Sequence, residues 1–552
     1  MLKKKFFTLS IVCVTVVLMM FASCSTPAPV SSTEPVASAS GILTPDEARA
    51  FHMSTLVADG HNDTLNRITR QSAANLTAPL ELPLWETFTY TGNVPNHFSM
   101  VDNGKVLGDL NSDIFYDTLL LFGNPANPST TSSPSHPTLG RLRHLDIPKM
   151  QRGGLNVAFT AMWWTSDASS LANPVRYRSR YLATANTLFW NERRNSSLMA
   201  VPKTYNDIMD IYNSGRIAMV LTMEGADMFR EHNYMEFLRQ FNDLGVLVIG
   251  PVYSGFSHFA PSAANGGNGL YTPWAVEAVK EMFRLGILVD LSHMGSSLID
   301  QTITLALQEG FPVIHTHGRP LGGFGQSSGM TDAQLVALAR TGGVISIMMH
   351  IPSRISASDY RVEHIVQNIH YAVGVMGIDH VGLGTDADGA IRLPTDMQDV
   401  SELWKITQGL AELGYNREEL AKILGGNMMR VLQTVSKKAV PRNIANEISF
   451  TPLLGWDEFG WYVNNVQPTL SARVQGNAAS YRVIVNGDAY TDTTFNQATS
   501  TLSLAMPERF PNSGQSTGEF LREHFHVVTF EATNASGAVA RETIVFRMDP
   551  SK

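Results

Sequence analysis

Cysteine and charge are both scarce in this chain. Its 552 residues include two cysteines, Cys13 and Cys24, and both lie near the N-terminus. A processed chain would keep at most one of them. That excludes an intramolecular disulfide, a cysteine zinc site and a thiolate nucleophile in the folded region. Charged residues make up 16% of the chain, with a formal net charge of -8. No Lys/Arg-rich patch follows the N-terminus, which with the net charge argues against general nucleic-acid binding, since that needs a basic surface to neutralise phosphates. Long apolar runs are also lacking. The longest, Phe6 to Phe21, is short for a membrane span of about 20 residues.

That run has the marks of an export signal. Lys3, Lys4 and Lys5 precede it, and Ala22-Ser23-Cys24 follow. A basic start, a short apolar stretch and small residues before a cleavage point define a secretory leader. Phe21-Ala22-Ser23-Cys24 resembles a bacterial lipoprotein box. The expectation is a signal peptide over 1–23, removed to leave a lipidated Cys24 that anchors the protein to the bacterial cell envelope. Residues 24–45, rich in Ser, Pro, Thr and Ala, read as a flexible tether.

The length and 44% hydrophobic content suit two globular domains. Over 46–440, near-continuously apolar runs alternate with amphipathic stretches. The runs are Thr55–Asp59, Leu155–Trp163, Ile217–Met223, Val246–Val252, Ile287–Leu291, Pro312–Thr316, Val344–Met349 and Val381–Thr385. Helix-like stretches between them include Thr272–Arg284, Ser296–Gln308 and Ala333–Arg340. Apolar strands buried on both faces and separated by helices predict an α/β fold of the (β/α)8 TIM-barrel type. Residues 84–140, rich in Asn, Pro, Ser and Thr, form a long insertion after the first strand, placed to act as a lid or as a surface decoration. Over 441–552 the pattern changes to short alternating runs: Thr469–Val474, Tyr481–Val485, Thr501–Ala505, His526–Ala532 and Glu542–Arg547. Turn signals such as Asn486-Gly487 separate them, which predicts a small all-β domain of immunoglobulin-like sandwich type.

Polar signatures sit at the C-terminal tips of five barrel runs: His61-Asn62-Asp63, Glu224, His293, His317 and Asp386. Barrel chemistry sits at that end. His61 and Asp63, two apart on an extended chain, point to one side and can share an ion. A lone carboxylate at Glu224, ending a buried strand, is costly unless cations neutralise it. Nitrogen and oxygen donors without sulfur suit zinc, and similar first-row metals fit too.

These motifs resemble the membrane (renal-type) dipeptidase family, peptidase family M19. Asp59-Gly60-His61-Asn62-Asp63 is similar to its opening motif, and His144-Leu145-Asp146-Ile147-Pro148-Lys149-Met150 with the Gly153-Gly154-Leu155 turn to its next landmark. Met223-Glu224-Gly225, Asp290-Leu291-Ser292-His293, Pro312-Val313-Ile314-His315-Thr316-His317 and the stretch from His380 to Gly389 resemble the later ones. Gly425-Gly426-Asn427-Met428-Met429-Arg430-Val431 resembles the closing helix, so the resemblance spans nearly all of 50–435.

It implies two divalent ions, zinc in the first instance, held by His61, Asp63, Glu224, His293 and His317, with Glu224 bridging. A hydroxide between the ions would attack a dipeptide amide. Asp386 would carry the proton to the leaving amine, or hold the substrate's amino group. His315 would stand behind His317, and Asp388 would serve the loop. Two positions depart from the family. Tyr253 stands where an oxyanion-stabilising histidine is expected, with His258 in the same loop. Ser328 stands where a carboxylate-gripping arginine is expected, with Arg319 the nearest cation. Members are often homodimers, though no interface signal shows in this chain. The expected function is a zinc dipeptidase. Its competitors are a related amidohydrolase acting on a lactone, an N-acyl amino acid or a D-amino-acid dipeptide, and a non-catalytic surface-binding lipoprotein.

Overall fold

The computed structural model describes residues 43–65, 144–163, 174–253, 257–260, 269–389, 391–457, 459–510, 524–549 and 552. The leader, most of the tether and the 84–140 insertion lie outside the described residues. Residues Ile42–Lys552 form one compact unit. Among the described residues, no helix is long and apolar enough to cross a membrane.

The first helix, Pro45–Ser54, begins inside the end of the stretch read as tether. Thr44 caps it, accepting from Glu47 N–H, while the Glu47 side chain returns a bond to the cap backbone. Eight parallel strands follow: β1 (Ala58–Asn62), β2 (Val157–Trp163), β3 (Ile217–Glu224), β4 (Val248–Gly250), β5 (Leu288–Val289), β6 (Ile314–Gly318), β7 (Val344–Met348) and β8 (Val381–Gly384). All eight lie within or beside the apolar runs. A two-residue strand, Met199–Ala200, also pairs with β3. Parallel ladders join β1 through β5 and β6 through β8. The two remaining seams are closed by single bridges, Asp290↔Ile314 between β5 and β6 and Asn62↔Ala387 between β8 and β1. The eight strands thus form a ring, as the TIM-like reading requires.

The helices stop where the sequence supplies stops. Helix Pro273–Leu285 starts on proline and ends on left-handed Gly286, and Ser296–Glu309 ends on left-handed Gly310. They pack outside the ring in one continuous core with β-strand residues such as Ala158, Met162 and Ile249.

The C-terminal part is all-β. One four-stranded antiparallel sheet runs Ser449–Pro452, Thr469–Gln475, Thr501–Ala505, Thr494–Asn496. A six-stranded sheet contains Ser480–Val485, Phe525–Thr533 and Val539–Met548, and includes one parallel pair, Gly460–Val463 with Val539–Met548. Leu470 and Val474 of the first sheet share a core with Val483, Phe530 and Phe546 of the second. The outer face of the larger sheet packs on the barrel. Phe525, Val527 and Val545 join the barrel core. Fully buried Gln240 donates to Ile484 O at 3.0 Å and accepts from Gly487 N–H at 2.9 Å.

His52 ties the first helix to the barrel. Its Nε2 lies 2.8 Å from Gly153 O, as donor, so its Nδ1 accepts from Thr407 Oγ1 at 2.7 Å. Burial lowers its pKa to about 4, against the opposing pull of the Gly153 carbonyl. A folded pKa below that of the unfolded chain means the unfolded state takes up the proton first. The stabilisation is therefore complete above about pH 6.5 and is lost as pH falls toward 4. We expect the stability difference between wild type and His52→Gln to shrink by about 3 kcal/mol between pH 7.5 and 4. Urea unfolding at both pH values reads it, and an unchanged difference would contradict the assignment.

Candidate metal centre

The C-terminal tips of β1, β3, β5, β6 and β8 bring six side chains together. Glu224, the last residue of β3, is the hub. Its Oε1 lies 2.7 Å from His293 Nε2, 3.4 Å from His317 Nε2 and 3.7 Å from His61 Nε2. His61 Nε2 is also 3.4 Å from Asp63 Oδ1. Two sets have ligand atoms mutually close enough for one ion: His61–Glu224–His317 and His61–Asp63–Asp386. The His61 and His317 rings stack with centroids 3.9 Å apart. All are buried except His293, whose side chain keeps 29% of its exposure and marks the open side.

Backbone geometry aims these groups. β1 is irregular between Asp59 and Asn62, and β6 between His315 and Gly318, so the ladders break where ligands must turn inward. His293, Asp386 and Asp388 hold left-handed φ values of 64°, 55° and 66°. Such conformations are costly for non-glycine residues and gather at functional sites. Gly389 completes the approach. A Cβ there would lie 2.2 Å from Asp386 Oδ1 and 2.6 Å from Asp63 Oδ2.

The electrostatics call for a cation. His61 Nε2, Asp63 Oδ1 and Glu224 Oε2 are buried without a hydrogen-bond partner. Burial opposes charge on His61, yet Glu224, Asp63 and Asp386 outweigh it and raise its pKa to about 10. Burial and Glu224 push Asp63 up to about 6. Burial and Asp63 hold Asp386 well above the usual carboxylate range. Burial, with His61 and His293 adding to it, holds His317 well below the usual imidazole range. Three buried carboxylates crowd one space, and two imidazole Nε2 atoms, of His293 and His317, face each other at 3.1 Å. Divalent cations resolve both conflicts, so the donor set fits bound metal.

The remaining residues sort by contact. Tyr253 meets the His293 ring edge-on at 4.7 Å and lies 5.2 Å from the Trp163 ring. Trp163, which the motifs passed over, stands beside Glu224 in the β2–β3 register. An aromatic residue ending a strand next to a ligand strand was the available signal. Arg319 is half-buried, and its Nε has no hydrogen-bond partner. Its charge is felt at Asp386, which raises the Arg319 pKa against the larger effect of burial. His315 packs behind His317, with Nδ1 on Ser292 Oγ at 3.1 Å. Asp388 serves the loop, accepting from Thr64 Oγ1 and His144 N–H, each at 2.7 Å. His258 and Ser328 are not brought to the cluster by any described contact. Ser328 is exposed, and the nearest charge felt at His258 is that of Arg230.

Comparison with known proteins bears on the fold and the family. Residues 117–445 match the family model of membrane dipeptidase, peptidase family M19. The match begins after β1, so His61 and Asp63 enter the site on geometry and motif alone. An uncharacterized protein in the pqqA 5' region of Klebsiella pneumoniae is 32% identical over 231 residues, 40% of this chain and 82% of that protein. Dipeptidase verJ of Clonostachys rogersoniana is 24% identical over 328 residues, 58% of this chain and 83% of its own. A crystal structure of a metallo peptidase from Rhodobacter sphaeroides, liganded with a phosphinate mimic of the dipeptide L-Ala-D-Ala, shares the fold. Its TM-score is 0.51 at 22% identity, over 69% of this chain and 99% of that one.

Gly389→Ala tests the crowding at Asp386 and Asp63. Displacing these carboxylates by about 1 Å should cost about 10²-fold in kcat/KM, with far-ultraviolet circular dichroism unchanged. Wild-type turnover in this variant would show that the close approach is not required.

Proposed function

Because the chain belongs to the membrane dipeptidase family, peptidase family M19, and is a metal-dependent hydrolase, we propose that it is a zinc dipeptidase holding two divalent ions. The observation that carries this reading is Glu224 Oε1 within 3.7 Å of three imidazole nitrogens from three other strand tips. His61 and Asp63 would hold one ion and His293 and His317 the other, with Glu224 between them. Such ions, when bound, would activate water as the nucleophile and polarise the scissile carbonyl.

The chain's own residues do the rest. Asp386, buried beside Asp63 in the cluster, receives the proton of the attacking water and delivers it to the leaving amine. Tyr253, at the edge of His293, offers a hydroxyl to the oxyanion. Arg319 grips the substrate carboxylate in place of an arginine at position 328. Its charge reaches the cluster at Asp386, which supports that role. The dipeptide mimic bound by the Rhodobacter sphaeroides enzyme suggests that an L,D-dipeptide is also accepted. On the leader's sequence alone, the same reading anchors the protein to the bacterial cell envelope through lipidated Cys24.

Hydrolysis of L,L- and L,D-dipeptides, with C-terminal amides as controls, tests this reading. Free dipeptides should be cleaved and amides spared. Arg319→Met should raise KM about 10- to 100-fold, the value of a charge-assisted hydrogen bond. Glu224→Gln should lower kcat about 10²- to 10³-fold. Equal turnover of amidated substrates would favour an amidohydrolase that does not read a carboxylate.

A further inference from the structure

The two seams of the barrel, where the ladder gives way to a single bridge, are stitched by buried aspartates in the same way. At the β8–β1 seam, Asp59 Oδ1 accepts from Thr385 N–H at 2.7 Å and from His61 N–H at 3.3 Å, and its Oδ2 accepts from Thr385 Oγ1 at 2.8 Å. At the β5–β6 seam, Asp290 Oδ1 accepts from Thr316 N–H at 2.9 Å and from Ser292 N–H at 3.0 Å, and its Oδ2 accepts from Thr316 Oγ1 at 2.6 Å. In both, the carboxylate holds its own chain two residues on and grips the backbone and hydroxyl of a threonine on the next strand. In both, the residue after that threonine, Asp386 or His317, enters the cluster. The left-handed site residues Asp386 and His293 directly follow gripped residues, Thr385 and Ser292.

At the second seam the clamp reaches the ligand ring. Thr316 directs its hydroxyl proton to Asp290, and Ser292 Oγ does the same to Asp290 Oδ1 at 2.8 Å. Each hydroxyl oxygen is left as an acceptor. Thr316 Oγ1 lies 2.9 Å from His317 Nδ1, which must therefore carry the proton. His317 Nε2, facing Glu224 Oε1 at 3.4 Å, is then the bare, ligating nitrogen. We propose that Asp290 and Thr316 are positioning residues that fix the tautomer and direction of His317, while Asp59 and Thr385 hold the backbone at the Asp386 tip. A purely structural seam would need the backbone bonds but not the hydroxyl relay to the imidazole.

The proposal rests on metal binding by this site, so its test reads metal affinity rather than turnover. Zinc dissociation constants are measured by chelator competition on the full protein, together with unfolding midpoints of the metal-free form. Thr316→Val should weaken zinc binding about 10- to 100-fold, and Thr316→Ser, which keeps the hydroxyl, should restore it. Asp290→Asn, nearly isosteric, should weaken it as well, and it serves if the valine variant does not fold. Wild-type affinity in Thr316→Val or in Asp290→Asn would overturn the proposal, whatever happens to the midpoint. Failure of wild type to bind zinc would instead sink the functional reading itself.

Discussion

Glu224 is the constraint from which the rest follows. A carboxylate 3% exposed, at the end of a fully buried strand, has lost its water and must find positive charge. The protein surrounds it with three imidazoles, each from a different strand tip. It then adds two more buried carboxylates, Asp63 and Asp386, which the imidazoles alone do not neutralise. Divalent cations would balance this charge, which accounts for residues of opposite preference being crowded together. Removing one partner from such a set leaves an uncompensated buried charge, the expensive outcome for any buried ionic group.

The fold pays for that crowding at its tips. Within the barrel, the left-handed non-glycine residues His293, Asp386 and Asp388, the two irregular strands, and Gly389, where a Cβ would collide with two carboxylates, fall at the carboxyl ends of β1, β5, β6 and β8. The rest of the ring is regular and apolar. A rigid scaffold carrying a locally strained rim is how a barrel can hold ligands to the tolerance that metal chemistry needs. The C-terminal β part adds to the scaffold. Its larger sheet packs on helices Pro174–Arg194 and Tyr234–Asp243, through Phe525 N–H on Ser179 Oγ at 2.9 Å and through buried Gln240.

Much of this was legible in the sequence. Apolar runs ending in His, Glu or Asp located the strand tips, because burial and metal binding impose opposite residue types at adjacent positions. Strand limits shifted by up to three residues at Thr55 and Val246, since apolar runs report burial while pairing is set by backbone hydrogen bonds. Asp59, Asp290, Thr316 and Thr385 were quoted within motifs yet given no role. Their partners are more than twenty residues away in the chain, and only the closed ring brings them together. Trp163 and Gly389 were missed for the same reason: their importance lies in what they face. The substrate contacts inferred by position alone fared differently. Arg319 is half-buried and feels the charge of Asp386, whereas Ser328 is on the surface.

The central claim is that Glu224 bridges two cations. A crystal structure of the zinc-soaked protein, with data collected on both sides of the zinc absorption edge, tests it most directly. The account predicts two anomalous peaks about 3.5–4 Å apart, one on each side of Glu224, beside His61–Asp63 and beside His293–His317. A single peak away from Glu224, or none, would contradict it.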